Sequence, residues 1–388
     1  MIAALATVLL AAPGPSAAGA PAPPACAAAP ASWPTWTRYV EAFVSGDGRV
    51  IDRSAHDRTT SEGQAYALFF ALVANDRALF DRVLRWTDAN LAGGHLEERL
   101  PAWSWGRRKD GSWGILDGNS ASDADLWMSY ALLEAGRLWS EPRHAQLARR
   151  MLANVAAREV ATLPGLGPTL LPGPRGFVLD RGRGWRLNPS YVPPQALRAA
   201  AAAQPDGPWR AVLASSLRML RETARRGVFP DWVLYTANGQ FERDPVKGDV
   251  GSYDAIRVYL WLGMLPADDP ARSDLQGGAS AGLLRFLDDA GRLPEKIDVA
   301  SLRTHGQAPV GFYAALLPLA GAVDPAAVPR LDDRVTAAAK DGLYGSPPAY
   351  YDQNLVLFAR GFVEERFRFG AEGRLEPAWG RACAPSPR

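Results

Sequence analysis

The sequence predicts an all-α protein. Twelve segments carry helical periodicity, and many begin after Ser, Pro, Thr or Asp and end near Gly or Asn. Three long connections between them are rich in Gly, Pro and Trp and hold short strand-like pieces. No low-complexity linker divides the chain beyond its first thirty residues, so one large domain is expected over residues 21–388.

The start, "MIAALATVLLAAPGPSAAGAPAPPAC", joins a short apolar run to small residues, and Ala18-Gly19-Ala20 fits an A-x-A cleavage site. Residues 1–20 are expected to be an export signal, with cleavage as late as residue 25, although no Lys or Arg precedes Arg38. The run is too short to cross a membrane, so a periplasmic or secreted protein without membrane insertion is expected. Cys26 and Cys383 are the two cysteines and lie near opposite ends of the chain. In an oxidising compartment they would pair; the alternative is two free thiols.

The helices are expected at 34–45, 61–75, 77–91, 121–139, 141–158, 191–203, 208–226, 253–264, 271–289, 310–321, 325–340 and 349–361. Successive segments read as helical hairpins. The long connections span 92–120, 159–190 and 227–252. The segments opening at 61, 121 and 253 are apolar nearly all round, which marks them as buried.

The chain of 388 residues is 47% hydrophobic and carries a net charge of +2, enough for a large core and without the basic footprint of a nucleic-acid binder. The four histidines, His56, His95, His144 and His305, lack ligand spacing, so no metal is expected. No G-x-S-x-G elbow or P-loop occurs, and "GLGPTL" lacks the third glycine of a dinucleotide fingerprint. A cofactor-free hydrolase is the economical reading.

Each of the three apolar helices opens on a carboxylate: Glu62, Asp123 and Asp254. Capping explains this locally. Ser61 and Gln64 have capping-box spacing, as do Ser120 with Asp123 and Ser122 with Asp125, and Ser252 is placed to cap the third helix. Acidic side chains also suit a helix N-terminus. The second explanation is convergence. If the three N-termini face one way, three carboxylates meet in one cleft, and burial with like charge separates them into a protonated acid and an ionised base.

"ASDADLWMSYALLEAGRLW", "TSEGQAY" and "SYDAIRVYLW" resemble the signature, acid and base segments of glycoside hydrolase family 8, with Ser129 where that family more often has Ala. "ERLPAWSWG", "LPGLGPTLLPG", "NPSYVPP" and "FRFGAEGRLEPAWGRACA" resemble the branch of exported cellulases linked to bacterial cellulose synthesis. The resemblance implies an (α/α)6 barrel of six inner and six outer helices and an inverting endo-β-1,4-glucanase acting on cellulose. It implies Glu62 as general acid, Asp254 as general base, and Asp123 as the carboxylate holding the sugar before the scissile bond. Such a pair works at roughly 6.5–9.5 Å, leaving room for water. Asp125 either supports Asp123 or caps the helix, and Arg257 is placed to hold the base ionised. A cellulose synthase export complex is the implied partner.

A β-1,4-glucan offers flat ring faces to aromatics. Trp103, Trp105, Trp113, Trp185, Tyr191, Trp232, Tyr253, Tyr350 and Tyr351 are candidates for the groove, about half of them being expected to serve as core or anchors instead. Trp105 and Tyr191 are the strongest choices. A chitosanase, xylanase or lichenase of the same family, or a polysaccharide-binding protein without catalysis, are the rival readings.

Overall fold

The computed structural model describes residues 32–279 and 281–381. The export-signal expectation, Cys26 and Cys383 lie outside them. Six helices form an inner set: α2 (Ser61–Val73), α4 (Ser122–Leu138), α6 (Pro194–Ala203), α8 (Ala255–Gly263), α10 (Val310–Val323) and α12 (Tyr350–Val363). Between them run α1 (Pro34–Phe43), α3 (Arg77–Leu91), α5 (Pro142–Glu159), α7 (Trp209–Thr223), α9 (Arg285–Ala290) and α11 (Val328–Ala337). Each inner helix packs on the next, and Phe358 on α12 closes the ring against Tyr66 and Phe69 on α2, with centroids 5.0 and 5.1 Å apart. This is the (α/α)6 arrangement.

Composition explains the two rings. In α2 every residue but Glu62 is buried, and α8 is buried along its whole length. Outer helices such as α3 and α5 bury one face and expose charged residues on the other. Tyr66, Trp127, Trp261 and Phe358, from four different inner helices, meet on the axis at 5.0–6.3 Å, mostly edge to face. The axis is a packed aromatic core, not a channel. Because an outer helix returns the chain each time, the inner helices run parallel and present their N-termini at one end.

The expected helix boundaries agree closely except at 271–289. That stretch is broken into a wide turn at Asp274–Ala279, a 3-10 turn at Ala281–Leu283, and the short α9. A tertiary contact accounts for the break. Gly227 (φ +75°) and Gly282 bring their backbones so close that a Cβ on either would overlap the other strand of chain.

The long connections fold into sheets around the N-terminal end. β1 (Thr59–Thr60), β2 (Ser104–Arg107) and β3 (Trp113–Asp117) form one antiparallel sheet. β4 (Val160–Leu163) and β5 (Gly167–Leu170) form a hairpin. β6 (Val178–Leu179), β7 (Gly184–Leu187), β8 (Val233–Thr236) and β9 (Phe241–Arg243) form a four-stranded sheet. Among the described residues no helix is long and apolar enough to cross a membrane.

Candidate active site

The capping explanation fails at all three carboxylates. At α2 the cap is Thr60, whose hydroxyl accepts from Gly63 N at 3.2 Å. Gln64 instead turns into the core, accepting from Val50 N and donating to Thr87 Oγ1. At α4 no side chain caps the helix. Ser120 donates to Glu159 Oε1 at 2.6 Å, away from Asp123. At α8 the N-cap position belongs to Asp254 itself, and Ser252 is bound to Asp231. Glu62 and Asp254 are left to face the cleft, while Asp123 accepts from Ala124 N at 2.8 Å through Oδ1 and keeps Oδ2 for the cluster.

They converge on Arg257, one turn into α8 and buried to 4% exposure. Its Nη1 contacts Glu62 Oε1 and donates to Asp123 Oδ2 at 2.9 Å. Its Nη2 donates to Asp254 Oδ1 at 2.8 Å and to Ser190 Oγ at 3.0 Å. The guanidinium bridges Glu62 and Asp254. Burial works against its charge, but Glu62 and the other partners outweigh burial and raise its pKa well above the ordinary value.

One cation facing three carboxylates leaves excess negative charge, so the cluster retains a proton. Burial, with the charges of Glu62 and Asp254, pushes Asp123 up to about 7 against the pull of Arg257. Asp123 is almost wholly buried, whereas the side chains of Glu62 and Asp254 are 21% and 30% exposed at the cleft floor. Tyr66 on α2 donates to Glu62 Oε1 at 3.2 Å.

Asp231 and Ser190, outside the initial choice, complete the floor together with the candidate Trp232. Asp231 accepts from Ser252 N at 2.7 Å, Ser252 Oγ at 2.5 Å and Ala255 N at 2.8 Å, and so fixes the start of α8 on which Asp254 rides. Burial and the Asp254 charge push Asp231 up to about 6, against those hydrogen bonds. Ser190 is locked by Asn188 Oδ1, which accepts both its N–H and its hydroxyl. Trp232 donates from Nε1 to Asp254 Oδ2 at 2.9 Å.

The aromatics divide. Tyr191 lies under the Arg257 guanidinium at 5.6 Å and against Trp232 at 6.0 Å, and Trp232 stacks with Phe177. Tyr253 is 41% exposed and meets Tyr351, whose hydroxyl donates to Tyr253 O. On the Glu62 side, Trp103 O accepts from Ser61 N, and Trp105 pairs with Thr59 across the sheet. Trp105 stacks with the exposed Trp113, with Arg49 over both rings.

Three candidates are corrected. Tyr350 is buried, edge-on to Phe43, with its hydroxyl against Gly63, so it supports α2 from beneath and offers no face to a substrate. Trp185 is buried in the four-stranded sheet. Asp125 is fully buried and cannot touch a sugar. Among the described residues no group of three or more His, Cys, Asp or Glu is arranged to hold a metal ion.

Three comparisons bear on this arrangement. The endoglucanase of Xanthomonas axonopodis pv. citri (strain 306) is 51% identical over 373 residues, covering 93% of this chain and 94% of its own. That of Escherichia coli (strain K12) is 46% identical over 356 residues, covering 92% and 94%. The crystal structure of endo-1,4-D-glucanase from Vibrio fischeri ES114 superposes with a TM-score of 0.83 at 41% identity, covering 90% of this chain and 99% of that one. The family model for glycosyl hydrolases family 8 matches residues 24–365, a span that holds all three carboxylates and Arg257. By fold, sequence and full-length kinship, the chain belongs to glycosyl hydrolase family 8.

Proposed function

We propose that this protein is an inverting endo-1,4-β-glucanase that hydrolyses internal bonds of cellulose chains. The observation that carries the reading is the joint hold of Arg257 on Glu62, Asp123 and Asp254, three carboxylates from three helices at one end of the barrel. Names of full-length relatives support the substrate: endoglucanase in Xanthomonas and Escherichia coli, endo-1,4-D-glucanase in Vibrio.

Glu62 is the acid. It gives its proton to the glycosidic oxygen as the C–O bond breaks, and the leaving sugar departs with a free hydroxyl. Asp254 is the base. It takes one proton from a water that attacks the anomeric carbon from the opposite face, so the new hemiacetal is inverted. Arg257 orients Asp254 through a charge-assisted hydrogen bond. Asp123 holds the sugar ring before the scissile bond. Tyr191, Trp232, Tyr253 and Tyr351 line the Asp254 side, and Trp103, Trp105 and Trp113 form an aromatic sheet on the Glu62 side. The protein is exported to the periplasm or beyond and acts beside a cellulose synthase export complex.

The test is cellohexaose followed by proton NMR, with carboxymethylcellulose, xylan and chitosan in parallel. Fresh α-anomer from the β-linked glucan is expected. β-Anomer would refute the acid/base pair, cleavage of another polymer alone would replace the substrate, and no cleavage at all would favour a binding protein.

A further inference from the structure

Behind Asp123 lies a second acidic pair that the reaction does not use. Asp125, two residues on in α4, and Glu159, the last residue of α5, are both fully buried. No N–H or hydroxyl among the described residues reaches either oxygen of Asp125, and the carboxyl set against it is that of Glu159. Glu159 accepts from Ser120 Oγ at 2.6 Å through Oε1, and its Oε2 has no other donor. Among the described residues no cation forms a salt bridge with either group. Two carboxylates set against each other in such a place cannot both stay ionised.

We propose that Asp125 and Glu159 share one proton in a carboxylic acid–carboxylate hydrogen bond, and that this pair is a positioning unit aiming Asp123 into the cleft. The inference rests on the reading of Asp123 given above. Asp125 is the donor and Glu159 the acceptor. Burial, with the neighbouring Glu159 charge, raises Asp125 well above its ordinary value, and burial pushes Glu159 up to about 8, so the pair is down to its single shared proton once pH has risen past that value. The charged groups acting on the pair are Asp123, itself tied to Arg257, and Arg158, which donates to Glu98 O at the surface.

The location explains why positioning is needed. α4 begins without an N-cap side chain, and the bond from Ala124 N to Asp123 Oδ1 ties its first turn only to itself. The pair joins that turn to the end of α5. The same junction holds the loop before α4: Leu171 N donates to Glu159 O at 2.7 Å, and Ser122 N donates to Pro172 O at 3.1 Å. Ser120, on that loop, is bound to the Glu159 carboxyl. A carboxyl–carboxylate bond is directional, which an apolar contact here would not be.

Infrared difference spectra of the full-length protein at about pH 9, above the Glu159 value, test the proton. Asp125→Asn should lose one protonated-carboxyl C=O stretch that wild type shows, because the Asn amide donates to an ionised Glu159. No loss would overturn the proposal, and this arm needs no assumption about Asp123. Kinetics on cellohexaose test the positioning. Asp125→Ala should lower kcat about 10²-fold with KM little changed, and Asp125→Asn should recover at least about tenfold of that loss. Equal kcat in the two folded variants would overturn the positioning role. If Asp125→Ala does not fold, the infrared result on Asp125→Asn still decides the shared proton.

Discussion

Arg257 reaches back one helical turn to Asp254, donating from Nη2 to Oδ1 at 2.8 Å, so one short helix carries both the proposed base and the cation bound to it. The other arm of the guanidinium ties the same helix to α2 and α4. A lysine offers a single point charge and cannot span these partners. Arg257→Lys should fold, by circular dichroism, yet lose roughly 10²–10³-fold in kcat/KM. Near wild-type turnover would show that the shared guanidinium is dispensable.

Glu62→Gln keeps the size and hydrogen-bonding reach of the proposed acid but cannot deliver its proton. Hydrolysis of cellohexaose should fall by at least about 10²-fold. Calorimetry should still find the oligosaccharide bound. Turnover close to wild type would remove Glu62 from the role of acid.

Asp231 acts through Asp254 without facing the cleft. Asp231→Ala frees Ser252 N and Ala255 N and lets the start of α8 drift. A displacement of about 1 Å at a reacting group is worth up to about 10² in rate, so kcat should drop by that order. Asp231→Asn retains an acceptor oxygen and should fall between the two. A kcat unchanged in the Ala variant would rule out the positioning role.

Stability should depend on pH through Asp352. Burial pushes this carboxyl up to about 6, against a hydrogen bond from Gly311 N. Its folded value lies above the unfolded one, so its contribution to stability is fully present at low pH and is lost as pH rises through about 6. Asp352→Asn should therefore stabilise the protein by roughly 1–3 kcal/mol at pH 8 and by almost nothing near pH 3. Denaturant melts at the two pH values would check both arms.

The described chain ends are held side by side. Arg366 donates to Ser32 O at 2.7 Å, and Arg381 donates to O of the adjacent Glu365. Cys26 precedes Ser32 by six residues and Cys383 follows Arg381 by two. Non-reducing peptide mapping of protein recovered from an oxidising compartment should yield a Cys26–Cys383 linked peptide. Two freely alkylated thiols would reject it.

Apolar runs were enough to reveal the helices, because an inner helix such as α2 must be greasy on every side and an outer one such as α3 on one. The convergence of Glu62, Asp123 and Asp254 was legible because alternation of inner and outer helices forces the inner N-termini to one end. What stayed hidden depends on contacts across the fold. The break in 271–289 comes from Gly227 meeting Gly282, which no local pattern encodes. The capping-box spacings misled because Gln64 and Ser120 found stronger partners in Thr87 and Glu159. Asp231 sits in an unremarkable "FPDWV", and its hold on Ser252 and Ala255 appears only once the chain has turned back.

The six parallel inner helices have an electrostatic consequence. Each helix end acts as about half a positive charge, so the backbone alone lends the cleft floor about three units. Glu62, Asp123 and Asp254 stand in that field beside Arg257 and offset only part of the positive charge that the helix ends and the guanidinium supply. Replacing the proposed base, Asp254, by its amide would leave more of that charge unbalanced and turn a glucan cleft into a weak trap for chloride or sulfate.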